Sequence, residues 1–139
     1  MSRGVKITLI IVGVVVLLIV VGVVGVGFFV YKNTQQVAGE AKAFAQQSDQ
    51  AGCLKEAMSR QKQNDSAFNL ASNGAFLAVC LDNSKPASGF CEGMPASSDH
   101  QQTSQWLNAQ CNQSGLNLAT CSGLMTIAQK HCEGAMRRK

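Results

Sequence analysis

Residues 7–30 read ITLIIVGVVVLLIVVGVVGVGFFV. No charged side chain interrupts these 24 residues, and Thr8 is their one weakly polar member. As an α-helix rising ~1.5 Å per residue, the stretch measures roughly 36 Å, enough to cross a hydrocarbon core of about 30 Å with some tilt. A lone segment in lipid must satisfy its own backbone N–H and C=O groups, which only a helix does. The many valines therefore do not count against a helix here. The expectation is a transmembrane helix over residues 7–31, in contact with the lipid bilayer. It outruns the ~7–15-residue apolar region of a cleaved signal peptide. The small residues Ala38 and Gly39 also lie well downstream of its end, so it reads as an uncleaved signal anchor. No G-F-x-x-x-E junction of the pilin type is present. Gly13, Gly22, Gly25 and Gly27 include no two that stand four apart, so the G-x-x-x-G dimer motif is absent.

Orientation follows from two further features. Residues 1–6, with Arg3 and Lys6, form a short cytoplasmic flank; Lys32 and Lys42 follow the span, so the positive-inside bias favours a cytoplasmic N-terminus only slightly. The cysteines point the same way. All six, Cys53, Cys80, Cys91, Cys111, Cys121 and Cys132, follow the span, and none is spaced C-x-x-C as in a zinc ribbon or thioredoxin-like site. An even number in a small domain fits disulfides formed in an oxidising compartment. The C-terminal part is thus expected outside the cytosol, periplasmic or extracellular, with a bacterial inner membrane favoured.

The net charge of +4 is shared between the two sides: ten Lys/Arg against eight Asp/Glu follow the span, an excess of two. With aromatic residues at 6%, this provides neither a basic face nor stacking platforms, and no nucleic-acid partner is expected.

Beyond the span, the periodicity predicts an all-α domain of about four helices in two hairpins. Val37, Ala41, Phe44, Ser48, Ala51 and Met58, with Leu54 beside them, form one apolar stripe, read as a juxtamembrane helix A over residues 35–63 within a segment 32–64. The stripe is better suited to core packing than to a short coiled coil, since it has few heptads and small residues. Residues 65–139 form the rest of the domain. Asp65 or Ser66 caps helix B (67–82), whose apolar positions are Phe68, Ala71, Ala75, Phe76, Val79 and Cys80. Residues 83–98, rich in Asn, Ser, Gly and Pro, form a loop. Ser98 or Asp99 caps helix C (99–111), edged by Trp106, Leu107 and Cys111. Asn117 caps helix D (118–136), where Leu118, Cys121, Met125, Ala128, Cys132 and Ala135 share a face.

Two antiparallel helices place residues equidistant from their turn side by side. Cys53 and Cys80 flank the first turn in this way, and Cys111 and Cys121 flank the second. Cys91 then remains to reach Cys132. A short Cys80–Cys91 loop is the rival pairing. Each bridge is expected to be structural, contributing about 2–4 kcal/mol, which matters in a domain whose core is small.

Catalytic chemistry finds little footing. Residues 89–93, GFCEG, have the outline of a nucleophile elbow, but a Pro/Ser loop precedes Cys91 and Pro95 follows it, where an elbow needs a strand and then a helix. Cys121, Met125, His131, Cys132 and Met136, with Met94, are soft donors of the kind that hold Cu(I), although disulfide sulfurs do not ligate as thiolates. His131 is expected at the solvent edge of the last helical turn, complementing the helix dipole, as are Arg137, Arg138 and Lys139. Residues 64–66 and 112–114 match the glycosylation sequon. No cofactor is implied, and no zincin, phosphate-loop or haem motif occurs.

These features lead to the expectation of a membrane-anchored extracytoplasmic interaction or scaffold protein without catalytic activity, serving an envelope protein partner. The alternatives are an accessory single-span subunit of a larger membrane complex and a soft-metal or thiol-redox protein. Intact mass of the membrane-extracted protein should show the span still attached. It should take up alkylating reagent only after reduction, at all six cysteines; uptake before reduction would count against the disulfide reading.

Overall fold

A computed structural model describes residues 3–137, with the backbone alone for residues 3–10, 29–30 and 33. The side chains of Arg3 and Lys6 in the expected flank, and Arg138 and Lys139 at the basic end, lie outside the described residues. Five α-helices occur among the described residues: α1 (Arg3–Gln46), α2 (Gln50–Gln63), α3 (Ala67–Asn83), α4 (His100–Cys111) and α5 (Leu118–Arg137). The fold is all-helical, and by internal contacts it divides into two units, Met1–Gln35 and Gln36–Lys139.

The first unit contains a helical stretch, Ile11–Phe28, that is long and apolar enough to cross a membrane; none of its 18 residues is buried. Near its end the Lys32 ammonium lies 5.2 Å from the centre of the Phe28 ring.

The second unit departs from the expected helix A. Instead of one helix over residues 35–63, α1 ends at Gln46 and α2 begins at Gln50. Asp49 causes the restart by accepting a hydrogen bond from the Gly52 N–H at 2.8 Å, an N-cap that competes with continued helix. The backbone freed at the break is satisfied from a distance. Gln50 N–H donates to the Lys85 carbonyl (3.1 Å) and Lys85 N–H to the Ser48 carbonyl (3.4 Å). The break also resets the helical phase: Ala41 and Ala45 are buried before it, and Cys53, Ala57 and Gln61 after it, while Ala51 is exposed.

In α3 the inward face is likewise rotated from the expected one. Phe68, Ala71 and Ala75 are exposed, whereas Asn73, Gly74, Phe76, Leu77, Cys80 and Leu81 are buried. The bridge at Cys80 accounts for this, because residues three, four and seven positions before it (Leu77, Phe76, Asn73) share its face. Gly74 allows close approach to α5; a Cβ there would stand 2.9 Å from Ile127 Cδ1. In α5 the buried set is Thr120, Cys121, Leu124, Met125, Ala128, Gln129 and Cys132, with Leu118 exposed at the entrance. Phe76, Leu77 and Leu81 of α3, Leu124 and Ala128 of α5, and Cys53 and Ala57 of α2 form the main core. Phe44 packs its ring 5.8 Å from that of Phe76.

Three disulfides fasten these helices: Cys53–Cys80 joins α2 to α3, Cys111–Cys121 joins α4 to α5, and Cys91–Cys132 joins the α3–α4 loop to α5. Cys80 is not joined to Cys91. The closed loops span 10, 27 and 41 residues for Cys111–Cys121, Cys53–Cys80 and Cys91–Cys132. Chain entropy therefore predicts that removing each pair as alanines destabilises in that order. The loss is about 2–4 kcal/mol each, with roughly 1 kcal/mol between the extremes. Urea unfolding of the detergent-solubilised protein, followed by circular dichroism, measures the ranking.

Candidate functional site

One face of α2 carries Ala51, Leu54, Lys55, Met58, Ser59 and Lys62, positions that recur at helical spacing, while Cys53, Ala57 and Gln61 on the other side enter the interior. The outward face is one wall of a groove of about 510 Å³ completed by Phe90, Gln113 and Ser114. That volume lies in the ~300–1,000 Å³ range of sites that take ligands or side-chain anchors. Leu54, Met58 and Phe90 supply its apolar lining, and Lys55 and Lys62 are exposed beside it; among the described residues no carboxylate lines it.

Each wall is held from behind. Phe90 follows Gly89, whose φ of +76° no side chain adopts easily, and its N–H donates to the Ala87 carbonyl at 3.2 Å. The adjacent Cys91–Cys132 bridge fixes that segment on α5. Two more residues on the same face of α5 reinforce it. Gln129 donates to the Pro95 carbonyl (2.8 Å), and the Glu133 carboxylate accepts from the Ser97 N–H and, at 2.9 Å, from its hydroxyl. The far wall is the α4–α5 turn. Gly115, at φ +72°, reverses the chain there, and Ser114 accepts from the Leu116 N–H at 3.1 Å. A Cβ on Gly115 would lie 3.4 Å from the Lys62 ammonium, which places that cation at the turn end of the groove.

Asp65 ties the end of α2 to α5. It accepts from Gln61 (3.1 Å), from the Thr120 hydroxyl (2.9 Å) and from the Asn117 amide. Gln61, fully buried, is itself satisfied by Asn73 at 2.8 Å. The donors from Gln61 and Thr120 hold the Asp65 carboxyl below its ordinary range. The Ser97 N–H and hydroxyl do the same for Glu133. The remaining α2 cation is treated differently. Arg60 lies over the Phe76 ring at 4.0 Å and is paired with Glu40 (2.8 Å) and Glu56 (2.9 Å). Partial burial works to lower its pKa, but the bonds to the two glutamates outweigh that and raise it.

The residues singled out for chemistry are dispersed or engaged. Cys91 is bridged to Cys132, and among the described residues no strand precedes it. His131 is not at an exposed last turn: its side chain is only 11% exposed, and Nδ1 stands 3.1 Å from Asp82 Oδ1. Its Nε2 lies 3.0 Å from the Gln50 amide nitrogen, whose oxygen accepts from the Ala87 N–H at 3.3 Å. Gln50 thus donates to His131, and His131 latches α2, α3 and α5 together. Among the soft donors, Cys121 and Cys132 are in bridges, Met125 is buried and Met136 exposed. No group of three or more His, Cys, Asp or Glu is arranged to hold a metal ion among the described residues. Nothing local in the sequence marks the groove, because its walls come from distant segments, although Lys55 and Lys62 bracketing Met58 on one helical face is legible as a pattern. No family model, curated protein or solved structure matches the chain.

Because Asp65 and Glu133 titrate lower in the folded protein than in the unfolded chain, their stabilisation is complete above the unfolded carboxyl value near pH 4. It is lost as pH falls through that value and the lower folded one. Melting temperature should therefore drop below about pH 4, and less steeply in an Asp65→Asn variant than in the parent. Thermal melts from pH 7 to pH 2 check this.

Proposed function

We propose that the protein is a membrane-anchored, extracytoplasmic interaction module without catalytic activity. It displays a disulfide-pinned helical domain beside the outer face of a membrane, with a bacterial inner membrane the favoured site. The observation that carries the reading is the pairing of all six cysteines, downstream of an apolar helix with no buried residue between Ile11 and Phe28. Such bridges persist in oxidising compartments. Exposed apolar side chains such as Leu17, Leu18, Val23 and Val24 suit lipid contact far better than water. The Phe28, Tyr31 and Lys32 cluster fits the interfacial belt where aromatic rings and snorkelling lysines sit.

In this reading the mechanism is positional. Tethering confines the domain to a thin layer and raises its effective concentration for envelope partners, without new contacts being needed. The groove on α2 is suited to receive one. A soft-metal or thiol-redox role would require one of the three bridges to open.

In a bacterial host the protein should sediment with membranes, resist alkaline carbonate and be released by detergent. A phosphatase fused to its C-terminus should be active, and a fluorescent protein that folds only in the cytosol should stay dark. Carbonate release, or the opposite reporter pattern, would overturn the placement.

A further inference from the structure

We propose that the α2 groove binds an amphipathic peptide segment of a partner protein bearing two acidic residues about two helical turns apart, with apolar residues between them. This inference rests on the interaction-module reading and names its partner class. Lys55 and Lys62 lie on the same face of α2, and seven residues of helix separate their backbones by ~10.5 Å along the axis. That spacing is wide for a single carboxylate or phosphate head group but matches two anions on successive pairs of turns in a helical partner. Beside the lysines, Leu54, Met58 and Phe90 line the groove with apolar surface, and Ser59, Gln113 and Ser114 add hydrogen-bonding groups. Apolar anchors flanked by complementary charge are the recognition pattern of a helix laid into a groove. Methionine at the centre adapts its shape to the incoming side chains.

The charge pattern of α2 strengthens the assignment. Arg60, on the same helix, is already neutralised by Glu40 and Glu56, whereas the groove contributes two cations and no carboxylate of its own. The complementary charge is therefore assigned to the occupant. Contacts of this kind mainly steer encounter and set specificity, so binding should weaken as salt rises.

The test uses the full chain in nanodiscs of neutral lipid and a fluorescein-labelled, alanine-based helical peptide. The peptide has glutamates seven residues apart and leucines three and four positions after the first. Fluorescence polarisation should report micromolar binding that weakens about tenfold or more in a Lys55→Glu/Lys62→Glu variant. Binding should also weaken for a peptide with lysines in place of the glutamates. Since both lysines are exposed, the variant should melt like the parent, which separates lost binding from lost folding. Met58→Asp, also at the groove, is expected to abolish binding. Absent peptide binding, or binding indifferent to the lysine reversal, would overturn the proposal. Lysine-dependent co-sedimentation of the domain with anionic phospholipid vesicles, without peptide binding, would also overturn it and give the groove to lipid head groups. The peptide assay does not depend on topology, so its failure and a failure of the fractionation and reporter experiment are separate results.

Discussion

A core of Phe76, Leu77, Leu81 and Leu124, filled out mainly by alanines and half-cystines, leaves little apolar area to hold the helices of the second unit together. In a domain of this size burial alone gives a thin margin over chain entropy. The three disulfides change that balance by removing freedom from the unfolded chain. Their placement also matters. Two close hairpins, and the third holds a loop that has no helix of its own. With sulfur supplying much of the cohesion, the surface is released from the need to bury every apolar side chain, and a groove can stay open on α2.

Polar contacts do the finer positioning. The loop between α3 and α4 is attached to α5 through Gln129, Cys132 and Glu133, which share one helical face, and to α2 through Gln50. Buried Gln61 and Asn73 would be expensive if unpaired; here each satisfies the other, and Asp65 extends the chain of bonds to Thr120 and Asn117. Such a network fixes the register between α2, α3 and α5 more sharply than interchangeable aliphatic contacts do. It leaves Phe90 and the turn at Ser114 in defined places opposite α2.

The features legible in the sequence were those governed by local rules. The apolar run, the capping windows 65–66 and 98–99, and the cap at Asn117 each follow from one short stretch, and the structure places the first two caps at Ser66 and Asp99. Two of the cysteine pairs, Cys53–Cys80 and Cys111–Cys121, follow from their flanking the two hairpin turns, whereas Cys91–Cys132 follows only as the remainder and competes with Cys80–Cys91 until the fold is known. What was not legible depended on distant partners. Helix A reads as continuous because Ser48 keeps its stripe in register and no proline interrupts it; the break becomes favourable when Lys85, far along the chain, supplies the missing backbone bonds. The inward face of α3 is hidden from the sequence for a similar reason. Alanines and Phe68 look apolar in isolation, yet the Cys80 bridge turns Asn73 inward, where Gln61 awaits it.

His131 illustrates the same dependence in a single side chain. By position it suits a helix terminus exposed to water, and nothing nearby in sequence argues otherwise. In the fold it is enclosed by Asp82 from the end of α3 and Gln50 from the start of α2. With Gln50 donating to Nε2, Nδ1–H is left to donate to Asp82, so the ring serves both neighbours at once. The Gln50 oxygen is in turn occupied by the Ala87 N–H. A ring so placed joins three helices and a loop, and its chemistry is consumed by that role. The same accounting applied to α2 gives the opposite result. Arg60 is consumed by Glu40, Glu56 and the Phe76 ring, while Lys55 and Lys62 border an apolar hollow that no carboxylate lines. Function is therefore better sought at the lysines than at the histidine, because there the structure leaves charge and apolar surface together without an internal use for both.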